Sequence, residues 1–141
     1  MKTRVHDKEI LLIEDNASDA QLALHYFSRS GRIKSVRHMA TPEAALEHLR
    51  RPGLSGLPAL IIYDLDANEP RGLTVVDQIK SDPKLRHIPI VVMTNTENKD
   101  AVLKSYQHSA NSVVPKPTDM NDYLRELENI EDYWLNASQL P

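Results

Sequence analysis

Four short apolar runs, each ending on a polar residue, constrain what this chain can fold into. Ile10-Leu11-Leu12-Ile13 runs into Glu14-Asp15, and Leu60-Ile61-Ile62-Tyr63 runs into Asp64. Ile90-Val91-Val92-Met93 runs into Thr94, and Ser112-Val113-Val114-Pro115 into Lys116. The runs lack the polar alternation of a half-exposed strand, as expected for strands covered on both faces. If they are parallel strands of one sheet, their carboxyl ends share one edge, where open α/β sheets bind ligands. An acidic pair, a lone Asp, a hydroxyl and an ammonium then meet in one pocket, with about a hundred residues between the first and the last.

Helical patterns fill the intervals. The first strand reads as Glu9 to Glu14, with Asn16 or Ser18 able to cap a helix that carries Ala20, Ala23, Leu24 and Phe27 on one face. Gly31 is a helix stop, and a weaker strand covers Ile33 to Met39. Thr41-Pro42 opens a second helix, with Ala45, Leu46 and Leu49 on its apolar side, before the loop Pro52 to Pro58. The third strand spans Ala59 to Asp64 and the third helix Gly72 to Lys80. A strand at Ile88 to Met93, a helix at Asn98 to His108 and a strand at Asn111 to Val114 follow. Thr118 or Asp119 caps a last helix that reaches toward Asn136. Five βα units predict an α/β fold, a doubly wound five-stranded parallel sheet of flavodoxin-like type with strand order 2-1-3-4-5. Five units are too few for an eight-stranded barrel.

Composition narrows the function. The length suits one domain, expected over residues 1–141. A net charge of -3, a pI near 6.0 and scattered basic residues argue against nucleic acid as a partner. The absence of Cys excludes disulfides and thiolate chemistry. No apolar run approaches the roughly 20 residues of a membrane span, and no signal-peptide core precedes Asp7-Lys8-Glu9, so a cytoplasmic location is expected. The histidines (His6, His25, His38, His48, His87, His108) show no metal-binding spacing.

The strand-end residues carry the chemistry. Glu14, Asp15 and Asp64, with Asp66, crowd carboxylates that a divalent cation would relieve, and all-oxygen ligation suits Mg2+. A carboxylate can attack phosphorus and form an acyl phosphate. Lys116 then offers a point charge and Thr94 a hydroxyl to phosphoryl oxygens. Taken one at a time, Asp15 reads equally well as a helix cap, Thr94 as a β-prone strand end and Lys116 as a solvated loop charge. The set in this order is what points to a site.

Leu12-Ile13-Glu14-Asp15-Asn16, Ile62-Tyr63-Asp64 with Gly72 downstream, Val91-Val92-Met93-Thr94 and Val114-Pro115-Lys116-Pro117 together resemble the receiver domain of two-component response regulators, over nearly the whole chain. The resemblance implies that Asp64 is the phosphoacceptor. It implies that Mg2+ is held by Asp15, Asp64 and the backbone carbonyl of Asp66, with Glu14 acting through water. Thr94 and Lys116 would contact the phosphoryl group, and the Lys116–Pro117 peptide would be cis. The Glu-Asp-Asn opening, Ile79-Lys80-Ser81-Asp82-Pro83-Lys84-Leu85 with Ile88-Pro89, and the late Tyr133-Trp134-Leu135 look like single-domain regulators paired with phytochrome-type sensor histidine kinases.

Three positions depart from the family pattern: Asn68 stands where a Pro is usual, Asn95 where a small residue is usual, and Val113 where an aromatic switch residue is usual. Tyr106 is the nearest upstream aromatic and a candidate substitute. The readout is then expected to run through the fourth helix, fifth strand and last helix. In that last helix Tyr123, Leu127, Ile130 and Trp134, with Leu135, form an apolar stripe expected to build a homodimer; Tyr123 to Leu127 reads more readily as covering the sheet, and Ile130, Trp134 and Leu135 lie later than that task needs.

Two other readings compete. Asp64-Leu65-Asp66 followed by Met93-Thr94-Asn95 looks like the first motifs of haloacid-dehalogenase-type phosphatases, with Asp64 as nucleophile and Asp66 as acid/base. Those enzymes place the nucleophile on their first strand and an acidic pair after the lysine; here Glu14-Asp15 comes first. The other is a pseudo-receiver, an interaction module that keeps the fold without phosphorylation.

Overall fold

The structure is a computed structural model that describes residues 6–51, 53, 56–65, 71–94 and 97–140. Strands β1 (His6–Ile13), β2 (Ile33–Met39), β3 (Leu60–Asp64), β4 (Ile90–Thr94) and β5 (Ser112–Pro115) form one parallel sheet in the order 2-1-3-4-5. Helices α1 (Ala17–Ser30), α2 (Pro42–Leu49), α3 (Gly72–Ser81), α4 (Lys99–Gln107) and α5 (Met120–Glu131) connect the strands or close the chain. Asp132–Ala137 continues α5 as a π-helix.

The two-residue period of the central strands sorts the core into two layers. Leu11, Ile13, Ile61, Tyr63, Ile90 and Val92 face one way and pack with residues of α2, α3 and α4. Ile10, Leu12, Leu60, Ile62, Val91 and Met93 face the other way and pack with α1, α5 and the π turn. Both faces are covered, which is why these runs are continuously apolar.

Local signals place the helix starts. Asn16 accepts from the Asp19 amide, Thr41 from that of Ala44, Asn98 from that of Ala101 and Asp119 from that of Asp122. Gly31 closes α1 in the left-handed region at φ 66. Gly72 is required by a close approach: a Cβ there would lie 1.7 Å from the Tyr63 hydroxyl.

Several boundaries differ from the sequence expectation. β4 starts at Ile90 and not Ile88, because the Ile88 amide bonds back to Leu85 and Pro89 has no N–H to give. β1 starts three residues early, at His6, alongside Ile33 of β2. The last helix is not one regular element to Asn136; its α-helical hydrogen bonding ends at Glu131. The Lys116–Pro117 peptide, expected cis, is trans, the form that X–Pro bonds still favour by roughly 0.5–1 kcal/mol. Among the described residues no helix is long and apolar enough to cross a membrane.

Candidate functional site

The register aligns the reactive residues at one edge. Ile13 pairs with Tyr63, Asp64 with Met93, and Thr94 with Pro115, so Glu14, Asp64, Thr94 and Lys116 arrive at neighbouring strand ends. Backbone pairing continues just past the strands and holds those ends in place: Glu14 N donates to Met39 O, Leu65 N to Met93 O and Lys116 N to Thr94 O, at 2.9–3.0 Å. His38 on β2 adds a ring-nitrogen contact to the Glu14 carbonyl at 2.7 Å.

Glu14, Asp15 and Asp64 each present a carboxylate oxygen, all within 4.8 Å of one another. Asp15 is exposed, Asp64 is half-buried and Glu14 is buried. The Lys116 ammonium reaches Asp64 Oδ2 at 2.5 Å, Glu14 Oε1 at 2.7 Å and Asp19 Oδ2 at 3.1 Å. It also lies 5.9 Å from the centre of the Tyr123 ring.

Burial sets the electrostatics. Loss of solvent, and then the Asp64 carboxylate hydrogen-bonded to it, push the Glu14 carboxyl up to about 9, against the pull of Lys116. Burial alone would lower the Lys116 ammonium, but its hydrogen bonds to Asp64 and Glu14 overrule this and hold it above the ordinary lysine range. The charge is therefore fixed on the lysine. The cost of burial and of the neighbouring carboxylate falls on Glu14.

Among the described residues, the buried oxygens Glu14 Oε2 and Thr94 Oγ1 have no hydrogen-bond partner. An unpartnered buried acceptor or hydroxyl carries a desolvation cost of about 1–3 kcal/mol, so a site that keeps two is built for something that arrives. A divalent cation fits the oxygen-only cluster, and an oxyanion fits a hydroxyl and an ammonium carried to neighbouring strand ends. Glu14, Asp15 and Asp64 are thus suited to a cation, and Thr94 and Lys116 to an anion.

The structure brings Glu14, Asp15, Asp64, Thr94 and Lys116 together as the sequence implied. Asp66, Asn68 and Asn95 lie outside the described residues. Val113 is half-buried on β5, and its amide donates to the Tyr106 hydroxyl at 3.1 Å. The expected interface stripe is placed differently. Tyr123, Leu127, Ile130 and Leu135 are buried within the chain's own second core layer, because α5 needs that face to cover the sheet. Trp134 is half-buried, with the exposed Tyr133 ring 4.9 Å away at a right angle to it. The sequence motifs do not single out Asp19, whose contact with Lys116 joins the first turn of α1 to the end of β5 across the fold.

Residues 10–128 match the family described as the response regulator receiver domain. The chain belongs to that family. It is 35% identical over 134 residues to the probable methanogenesis regulatory protein FilR2 of Methanothrix harundinacea, covering 94% of this chain and 86% of that one. It is 32% identical over 137 residues to response regulator Rcp1 of Synechocystis, covering 95% and 93%. Among solved structures it resembles the phosphorylated cyanobacterial phytochrome response regulator RcpA, at 31% identity, TM-score 0.86 and 96% and 99% coverage. The Mn2+-bound form of Rcp1 matches at 32% identity, TM-score 0.83 and 95% and 99% coverage. The protein is a receiver-type signalling protein, and the phosphatase reading is not favoured.

Proposed function

We propose that the chain, acting as one receiver domain over residues 1–141, takes a phosphoryl group from a sensor histidine kinase onto Asp64 and signals by protein–protein contact. The kinase is of phytochrome type, the chemistry is cytoplasmic, and the cation is Mg2+. The carrying observation is the Lys116–Asp64 contact at 2.5 Å, at the strand-end edge that also holds the Glu14 and Thr94 oxygens left without a partner among the described residues.

An Asp64 oxygen attacks the phosphorus of a phosphohistidine, the P–N bond breaks, the imidazole leaves with a proton, and an aspartyl phosphate remains. Water later splits the new bond and restores the carboxylate. Asp15, Asp64 and the Asp66 carbonyl would hold Mg2+, with Glu14 reaching it through water. When bound, the ion neutralises negative charge gathered on the phosphoryl oxygens. Lys116 stays close because the transferred charge lands near its present partner, and Thr94 donates its hydroxyl to a phosphoryl oxygen. Charge-assisted hydrogen bonds of ~1.5–3 kcal/mol each from Thr94 and Lys116 would supply part of the roughly 5.5 kcal/mol that a shift from 1:99 to 99:1 requires, because Lys116 already has carboxylate partners before transfer. Asn68 and Asn95 would tune access to the phosphoryl group and its release. The chain acts on itself and does not turn over other phosphate esters.

Intact mass after incubation with acetyl phosphate and Mg2+ tests this. A single phosphoryl adduct forms in the wild type and is absent in Asp64→Asn. No adduct with any donor would make the protein a pseudo-receiver, and rapid ester turnover without an adduct would make it a phosphatase.

A further inference from the structure

Lys116 has three ammonium protons and three carboxylate partners within 3.1 Å, and the third has no part in the cation cluster. That partner is Asp19, in the first turn of α1, whose own amide is fixed by the Asn16 side chain at 3.0 Å. Asp64 and Glu14 change their charge environment when a cation or a phosphoryl group arrives; Asp19 does not. An ammonium shared with a neighbour outside the cluster presses less hard on Asp64 and gives way more readily to a cation.

We infer that Asp19 is a positioning residue for Lys116, a fixed anion that draws the ammonium partly off Asp64 and Glu14 and so keeps their oxygens open to a divalent ion. The inference rests on the proposed use of this site, but it concerns the unphosphorylated protein and is read there. Removing the Asp19 carboxylate leaves Lys116 with Asp64 and Glu14 alone, both of them members of the cation cluster. Affinity for the ion then falls, although Asp19 never touches it. The alternative is that Asp19 attracts the cation through its long-range negative charge alone. The two accounts differ in whether Lys116 is needed.

The test is a double-mutant cycle read by Mn2+ binding, following the free-ion signal in electron paramagnetic resonance on the full chain. Asp19→Asn weakens Mn2+ binding by about threefold in the wild-type background, the scale of a partly exposed ion pair. In a Lys116→Met background the same substitution changes affinity by less than about 1.5-fold, because its effect is routed through the missing ammonium. A loss of equal size in both backgrounds overturns the inference in favour of long-range charge, and no loss in either overturns it outright. A second readout needs no cation: the 15N resonance of the Lys116 ammonium shifts in Asp19→Asn, and an unmoved signal also counts against the contact. If the wild type never forms an Asp64 adduct, the proposed function fails while these binding measurements keep their meaning.

Discussion

Lys116 shows how one side chain can hold a site together and also obstruct it. Its ammonium balances two carboxylates that would otherwise repel, yet it occupies oxygens that a cation needs. The Glu14 carboxyl, pushed up to about 9 by burial first and by its bond to Asp64 second, marks the cost of holding an acid there. A second strained residue lies away from the site. His48 on α2 is buried, its Nε2 has no partner, and burial, followed by the Arg37 charge, lowers its pKa from 6.5. A depressed folded-state value means the unfolded chain binds the extra proton first, so stability is fully present above 6.5 and is lost as pH falls below it. Urea melts at about pH 7.5 and about pH 5.5 should therefore show a falling midpoint in the wild type and a smaller fall in His48→Leu. Equal slopes in the two proteins would show that the imidazole is not the group responsible.

At the scale of elements, β5 is one of the sheet's two edge strands, with β4 on one side only. Edge strands leave unpaired amides, and here the Tyr106 hydroxyl at the end of α4 takes that of Val113. A residue of α4 is thereby tied to β5 three residues before Lys116. We propose that this tie, in place of an aromatic ring at Val113, carries the readout. Beryllofluoride with Mg2+ should move amide chemical shifts in α4, β5 and α5. In Tyr106→Phe the Val113 amide should exchange with solvent faster and the shift changes in α4 should shrink. Unmoved α4, β5 and α5 amides in the wild type would sink the proposal. Helices α1 and α5 are clasped to each other by polar side chains. Buried Glu131 accepts from Tyr26 at 2.5 Å and Ser30 at 2.6 Å, both on α1, and Arg32 pairs with Asp132. The π turn begins immediately after this clasp.

For the whole molecule, one sheet face is covered by α1 and α5 and the other by α2, α3 and α4, so most of the last helix is committed to the fold. A homodimer, still our proposal, would have to use what that packing leaves at the surface: Trp134 and Tyr133 beside Asn111, Ser112 and Val114 of the β5 edge, around a cavity of about 280 Å3. Sedimentation of Trp134→Ala should show a weaker dimer than the wild type; an unchanged dimer would place the interface elsewhere. The division between the readable and the unreadable parts of this chain follows from range. The apolar runs, the caps at Asn16, Thr41 and Asp119, and the order Glu14-Asp15, Asp64, Thr94, Lys116 rest on periodicity and neighbours within a few residues, so the sequence by itself determined the sheet, its edge and the site's membership. Periodicity names an apolar face without naming what covers it, which is why Ile130 and Leu135 pointed to a partner and yet pack in the core. Only the tertiary structure decided that Asp19 meets Lys116, that Tyr106 closes the β5 edge and that Glu131 binds Tyr26 across 105 residues, because these contacts depend on how helices settle on a twisted sheet.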